Sequence, residues 1–316
     1  FINTAYGGYD WEDTTTISAT LVPSKRGPAP AYQDVVPMEP NIQETSGRSG
    51  QIATFQDLLK SPNDEKLFEY YATSQFALID VNGKVREIGP PAIYDDIEVS
   101  PDGKYILVSR IRRPFSYLFP SFRFPKNYEI WDTNGKLVKH LLDTPLIDNL
   151  PVQGVQTGPR GYSWIPTESA TLIWAEALDG GDPRTKAENR DRLMTLAAPF
   201  AGKANELLKT QHRFQGRSFG ERDGLMFYYD YDRDTQRRRM FMTNYRNPAT
   251  SKVIVDLNTR DRYNDIGQPV TKTLPNGGNV VRMNGDHIFL TGAGASPEGD
   301  RPFFRKLNLK TLKTDE

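Results

Sequence analysis

The chain of 316 residues has no cysteine, which excludes disulfides and thiolate metal sites. It has no excess of either charge: 40 Lys and Arg stand against 40 Asp and Glu, for a net charge of zero. Nucleic-acid-binding domains carry a basic surplus, so that class is disfavoured and only a local basic patch stays open. No run of about 18 or more apolar residues occurs, so no membrane-spanning helix is expected. Of the three histidines, His140 and His212 have no neighbouring ligand set. Neither a metal nor a cofactor is expected. The opening residues Phe1-Ile2-Asn3-Thr4 lack an initiating Met and the basic and apolar regions of a signal peptide, so a fragment is expected.

What is present is enough for a core: 37% hydrophobic and 11% aromatic residues, in a length that suits two average domains or one large all-β domain. The chain is repetitive. A strand–turn–strand unit recurs at 9–22, 97–111, 162–177, 217–232 and 280–294, with Trp11, Ser100, Trp164, Phe219 and Met283 just before the turns. A second hairpin follows each, at 76–89, 128–143, 193–210, 240–257 and 304–314. Asn82-Gly83 and Asn134-Gly135 predict two-residue hairpin turns with positive φ at both central positions. Two hairpins per repeat make four strands. The fold class predicted is all-β: an incomplete β-propeller of about five four-stranded blades. A β-sandwich is the alternative, but it does not account for the long period.

Residues 41–75 lengthen the first repeat. Ser61-Pro62-Asn63-Asp64 reads as a helix start, with a Ser N-cap, Pro at the first position and acids beside the positive end. Segments 54–60 and 62–73 are expected to form one or two short helices, a small helical insertion over about 54–73. The stretch 23–40, with Pro23, Pro28, Pro30, Pro37 and Pro40, reads as an extended loop.

Candidate chemistry is sparse. Gly216-Arg217-Ser218-Phe219-Gly220 matches the nucleophile elbow G-x-S-x-G, and Asp256 and His287 follow in hydrolase order. An elbow needs a helix after it, whereas Glu221–Gly224 reads as a turn before a strand, so chance is the better account. Asp261, Asn264 and Asp265 lack calcium-loop spacing and read as Asx-turns. Gly292 and Gly294 read as a turn. Glu176 and Asp179 lie beside a Gly-Gly turn; they read as an acidic loop that turns the chain, and one of them is expected to pair with an arginine, two readings that can hold together.

The stretch 111–125, IRRPFSYLFPSFRFP, holds three arginines, five aromatics and three prolines. Arg112, Arg113 and Arg123 are the leading anion-binding candidates, because a guanidinium grips a carboxylate at two points. Phe115 and Tyr117 can wall such a site. The plainer alternative is that the aromatics cover the blade and the arginines form surface ion pairs.

SPDGKYILVSRIRRPFSYLFPSFRFP, WAEALDGGDPRTKAENRDRLMTLAAPF, DRYNDIGQPV, LTGAGASPEGDRPFF and the run 41–75 together resemble the propeller of glutamyl endopeptidase-type serine peptidases, in the prolyl oligopeptidase family. The resemblance covers nearly the whole chain. It implies that 1–316 is a propeller-domain fragment, lacking its first blades, of a secreted or periplasmic-type peptidase. It also implies that the α/β-hydrolase domain carrying the Ser-Asp-His triad is absent from the chain. The chain alone is then catalytically inert, caps the active site and helps bind peptide substrate. The substrate-binding candidates become Arg113 and Arg123, then Arg112 and Arg160, with Tyr117 lining and Glu176 and Asp179 included in the set. A free-standing propeller that binds other proteins is the rival reading. An open array of blades also exposes strand edges, so self-association is expected through them.

Overall fold

The computed structural model describes residues 1–31, 55–148 and 150–315. Pro37, Pro40, residue 54 of the expected insertion and the first part of the run 41–75 lie outside the described residues. The chain divides into two compact units, Phe1–Gln156 and Thr157–Glu316.

The first unit holds two four-stranded antiparallel meanders. Strands Tyr9–Trp11, Thr16–Leu21, Gln75–Asp80 and Val85–Glu87 form sheet 1. Strands Ile93–Val99, Tyr105–Ile111, Lys126–Asp132 and Leu137–Thr144 form sheet 2. Phe76 and Leu78 from sheet 1 pack with Tyr94, Ile106, Val108 and Trp131 from sheet 2. These are alternate positions along their strands, the period-2 pattern of a face turned to a neighbouring layer.

The two Asn-Gly turns are three-residue loops, not the two-residue turns expected. Asp80 pairs with Lys84 through the backbone, and Gly83 N–H returns to Asp80 C=O at 2.9 Å. Only Gly83 (φ 83°) and Gly135 (φ 79°) are left-handed; the asparagines keep ordinary φ. The reason is the preceding aspartate. Asp80 Oδ1 accepts from the N–H groups of Asn82 and Lys84 at 2.8 and 3.0 Å, and Asp132 does the same for Asn134 and Lys136. That Asx bond favours an ordinary turn followed by one left-handed glycine.

Between the second and third strands of sheet 1 sits helix α1, Pro62–Ala72. Ser61 Oγ accepts from Asp64 N–H at 3.2 Å, and Asp64 Oδ2 reaches back to Lys60 N–H at 2.7 Å. At the other end, Asn3 Nδ2 donates to the carbonyls of Tyr71 and Thr73. Both termini are thereby supplied with partners that the helix itself cannot provide. Residues 55–60 are not helical, so the insertion contributes one helix among the described residues.

Among the described residues the second unit has three larger sheets and two short two-stranded ones. Strands Pro159–Trp164, Thr171–Ala177, Asp191–Ala197 and Asn205–Thr210 form sheet 3; Arg213–Phe219, Leu225–Asp232, Arg237–Asn244 and Asn247–Asn258 form sheet 4. The run Leu225–Tyr229 is apolar on both faces because sheet 4 is covered on both. Met226 and Tyr228 join Ile165, Ile173 and Leu193 of sheet 3 and its border, while Leu225 and Phe227 join Ile288, Leu290 and Leu307 of sheet 5.

Sheet 5 departs from expectation. Its strands His287–Gly292, Phe303–Asn308 and Thr314–Asp315 run as anticipated. Its first strand is split into Gln268–Pro269 and Met283–Asn284, both on the same edge of His287–Gly292. A hairpin of Thr271–Thr273 and Asn279–Val281 fills the gap. The fold is thus all-β and propeller-like, with five blade-like sheets and one α-helix among the described residues.

Candidate functional site

The loop after strand Tyr105–Ile111 is closed at its neck by Arg112 N–H donating to Pro125 C=O at 2.7 Å. Phe115 and Phe124 turn inward and stack at 5.2 Å, and Phe68 of α1 meets both edge-on. These aromatics are core, as the plainer reading held. The tip is different: Tyr117, Leu118 and Phe122 are 41%, 60% and 59% exposed.

The three loop arginines have separate fates. Arg113 is fully engaged. Its Nε and Nη2 donate to the two oxygens of Glu69 at 2.7 and 2.8 Å, and its Nη1 donates to Glu65. Glu65 and Glu69 stand four residues apart on one face of α1, so one guanidinium spans both. The carboxylates hold Arg113 protonated and raise its pKa. Arg113 therefore offers no free two-point grip, contrary to expectation. Partial desolvation, then Glu65, pushes the Tyr117 phenol up. Arg112 approaches Asp143 at 3.7 Å on the surface. Arg123 lies over the rings of Phe119 and Phe55 at 4.8 and 5.5 Å and has no carboxylate partner among the described residues.

Arg160, Glu176 and Asp179 belong to the second unit, around sheet 3. Asp179 and Asp191 have fully buried side chains. Arg213 bridges them, with Nη2 to Asp179 at 2.5 Å and Nη1 to Asp191 at 2.8 Å. Arg190 adds a bond to Asp179 at 2.8 Å, and Arg160 one to Asp191 at 2.6 Å. Burial pushes the Asp179 carboxyl up, but Arg213 and Arg190 outweigh it and hold its pKa below the ordinary value. Glu176 accepts from Arg192 at 2.7 Å and from the Trp174 indole at 2.8 Å. Both acids do pair with arginines, though with Arg192, Arg190 and Arg213 rather than the loop arginines. Glu65, Glu69, Arg190 and Arg213 were missed by sequence reasoning. Only the i,i+4 spacing of Glu65 and Glu69 on the expected helix could have signalled them.

Ser218 lies on strand Arg213–Phe219, and the next element is a strand rather than a helix. Asp256 pairs with Arg237 at 2.7 Å, and His287 with Asn308 at 3.1 Å. The elbow geometry is not formed. Asp261 and Asp265 cap the N–H groups of Asn264 and Gly267, as Asx-turns do. No group of three or more His, Asp or Glu suited to a metal occurs among the described residues.

Among known proteins, no family model matches the chain. It is 35% identical over 322 residues to a protein of Oryza sativa subsp. japonica named "Probable glutamyl endopeptidase, chloroplastic", covering 98% of this chain and 34% of that protein. A protein of the same name from Arabidopsis thaliana is 35% identical over 323 residues, covering 98% and 33%. The chain spans about a third of the length of the curated relatives it matches. A prolyl endopeptidase structure aligns with 98% of the chain and 33% of its own length, at 11% identity and TM-score 0.45. The β-propeller domain of the trilobed protease from Pyrococcus furiosus aligns with 74% and 59%, at 9% and 0.40. The blade assignment rests on the sheets themselves.

Proposed function

We propose, because the chain belongs to the glutamyl endopeptidase branch of the prolyl oligopeptidase family, that it forms the non-catalytic β-propeller domain of a serine peptidase. In this reading residues 1–316 are propeller, and the Ser-Asp-His triad lies in an α/β-hydrolase domain outside them. The propeller caps the active site, limits what enters and helps select and bind peptides. The observation that carries the reading is identity along 98% of this chain to only about a third of each relative. The misplaced elbow at Ser218 supports it. Peptide is the partner in this reading.

A site that prefers acidic peptides must offer a cation, since desolvating an unpaired carboxylate costs several kcal/mol. Of the loop arginines, Arg123 has its charge uncommitted to any carboxylate among the described residues, with Tyr117 on the same loop. Arg112 is the reserve, and Arg113 positions the loop against α1. In the peptidase that carries this chain, Arg123→Ala is expected to lower kcat/KM for cleavage after Glu at least tenfold. Unchanged rate and preference would remove Arg123 from the site. Stoichiometric labelling of the 316-residue chain at Ser218 by an active-site serine phosphonate would overturn the non-catalytic reading.

The exposed apolar tip at Leu118 and Phe122 favours a second reading, a protein-binding scaffold. That reading predicts that the open reading frame carries no hydrolase domain.

A further inference from the structure

A cavity of about 570 Å³ opens beside α1 in the first unit, between the Pro23–Arg26 turn, the start of sheet 2 and Arg113. That volume is in the range of small-ligand pockets. Its walls are apolar at Pro91, Ile93 and Ile111, and its rim is cationic at Lys25 and Arg26.

Arg26 is built in, not loose. The turn is closed by Arg26 N–H donating to Pro23 C=O at 3.1 Å. Tyr70 fixes it from below: its hydroxyl donates to Gly27 C=O at 2.8 Å, and its ring carries the guanidinium at 4.1 Å. Tyr71 supplies a second ring at 5.3 Å. Nε and Nη2 of Arg26 are shut off from solvent with no hydrogen-bond acceptor among the described residues. Among the described residues no carboxylate pairs with Arg26 or with Lys25.

The acid on the cavity wall does not compensate them. Glu69 spends both oxygens on Arg113, whose third nitrogen takes Glu65. Among the described residues the two cations beside this pocket have no uncommitted carboxylate, and a guanidinium held on tyrosine rings is pre-oriented for a planar anion.

We infer that this cavity is a binding site for a peptide carboxylate, with Arg26 as its anchor, Lys25 as its second charge and the apolar wall receiving the adjoining side chain. The inference rests on the reading of the chain as a peptide-selecting propeller. The carboxylate comes from an acidic side chain or from a free C-terminus.

Direct binding to the 316-residue chain, measured without cleavage, tests the site apart from that reading. Titration with N-acetyl-Ala-Glu amide, N-acetyl-Ala-Ala acid and N-acetyl-Ala-Ala amide separates the sources. One of the two acids is expected to bind and the uncharged amide not to. Arg26→Gln should weaken binding at least tenfold and Lys25→Gln about threefold, while Tyr70→Phe, which keeps the ring, should weaken it less than Arg26→Gln. Lys25 is exposed, so its variant decides the matter if Arg26→Gln fails to fold. Absence of binding by both acids, or equal binding by the native chain and Lys25→Gln, overturns the site. Binding lost in the variants while cleavage in the peptidase is unchanged would keep the site and sink the substrate-selection reading.

Discussion

Arg113 and Glu69 form a two-point ion pair, Nε to Oε1 at 2.7 Å and Nη2 to Oε2 at 2.8 Å. The pair ties the sheet 2 loop to a helix inserted in sheet 1. It turns an arginine that sequence reasoning offered to a substrate into a strut. Glu65 completes the grip from one turn earlier on the same helix face.

Arg113→Ala is expected to destabilise the first unit modestly. The Arg113 side chain is 48% exposed and that of Glu69 40%, so solvent screens the pair. Half-exposed pairs with good geometry contribute about 1 kcal/mol. Urea unfolding of Arg113→Ala, Glu69→Gln and the double variant should give a positive coupling of that order. Strict additivity would show that the strut carries no energy.

The Asp179–Arg213–Asp191 network should cost far more to break. Removing one partner from a buried pair leaves a stranded charge, at about 3–5 kcal/mol. Arg213→Met is therefore expected to unfold the second unit or lower its melting temperature severely. A variant within 1 °C of the native melting temperature would contradict the burial argument.

The same network sets an acid limit. The folded pKa of Asp179 is depressed, because Arg213 and Arg190 overcome the burial penalty. Folding then binds fewer protons than unfolding at this site. Its stabilisation is complete above the unfolded aspartate value of about 3.9 and is lost as pH falls through the lower folded value. Thermal melts from pH 5 to pH 2 should fall more steeply for the native chain than for Asp179→Asn. Parallel curves would remove Asp179 as a cause.

Much of the fold was legible because blades repeat. The continuous apolar run Leu225–Tyr229 follows from a strand buried on two faces, and the paired hairpins from the repeat, and such patterns survive in sequence. The helix start at Ser61 was legible for a local reason, the capping bond to Asp64. The two Asn-Gly turns were misread because the aspartate before each captures the turn amides, a choice that asparagine and glycine alone do not reveal. The split first strand of sheet 5 was hidden because Gln268–Pro269 and Met283–Asn284 are each too short to show a period. Arginine partners were hidden for a different reason. Arg113 to Glu65 and Arg213 to Asp179 join residues far apart in the chain, and only the fold brings them together.

Gly89 and Gly83 separate backbone strain from crowding. Both have positive φ, 63° and 83°. A Cβ at Gly83 meets nothing within 4 Å, whereas one at Gly89 would overlap the Trp131 ring. Gly83→Ala should cost about 1 kcal/mol, the left-handed penalty alone. Gly89→Ala should cost about 1–3 kcal/mol more, the range for overpacking a core. Equal denaturant midpoints for the two would mean that the Trp131 contact yields freely.

Val280 and Val281 are adjacent, fully buried, and load different cores. Val280 packs in the cluster that joins sheets 3 and 4, and Val281 in the one that joins sheets 4 and 5. They end the hairpin Thr271–Val281, whose tip reaches sheet 3 through Asn276 Nδ2 donating to Pro166 C=O at 3.0 Å. Each Val→Ala change removes two methyl-sized groups from a closed core and should cost about 2 kcal/mol. Hydrogen exchange should tell the two apart. In both variants strand Leu225–Asp232 is expected to exchange faster, since it lies in both clusters. The effect should reach the amides of Ile165 and Ile173 only in Val280→Ala, and those of Ile288 and Leu307 only in Val281→Ala. Identical exchange patterns in the two variants would mean that sheet 4 does not separate two cores, and that the second unit yields as one block.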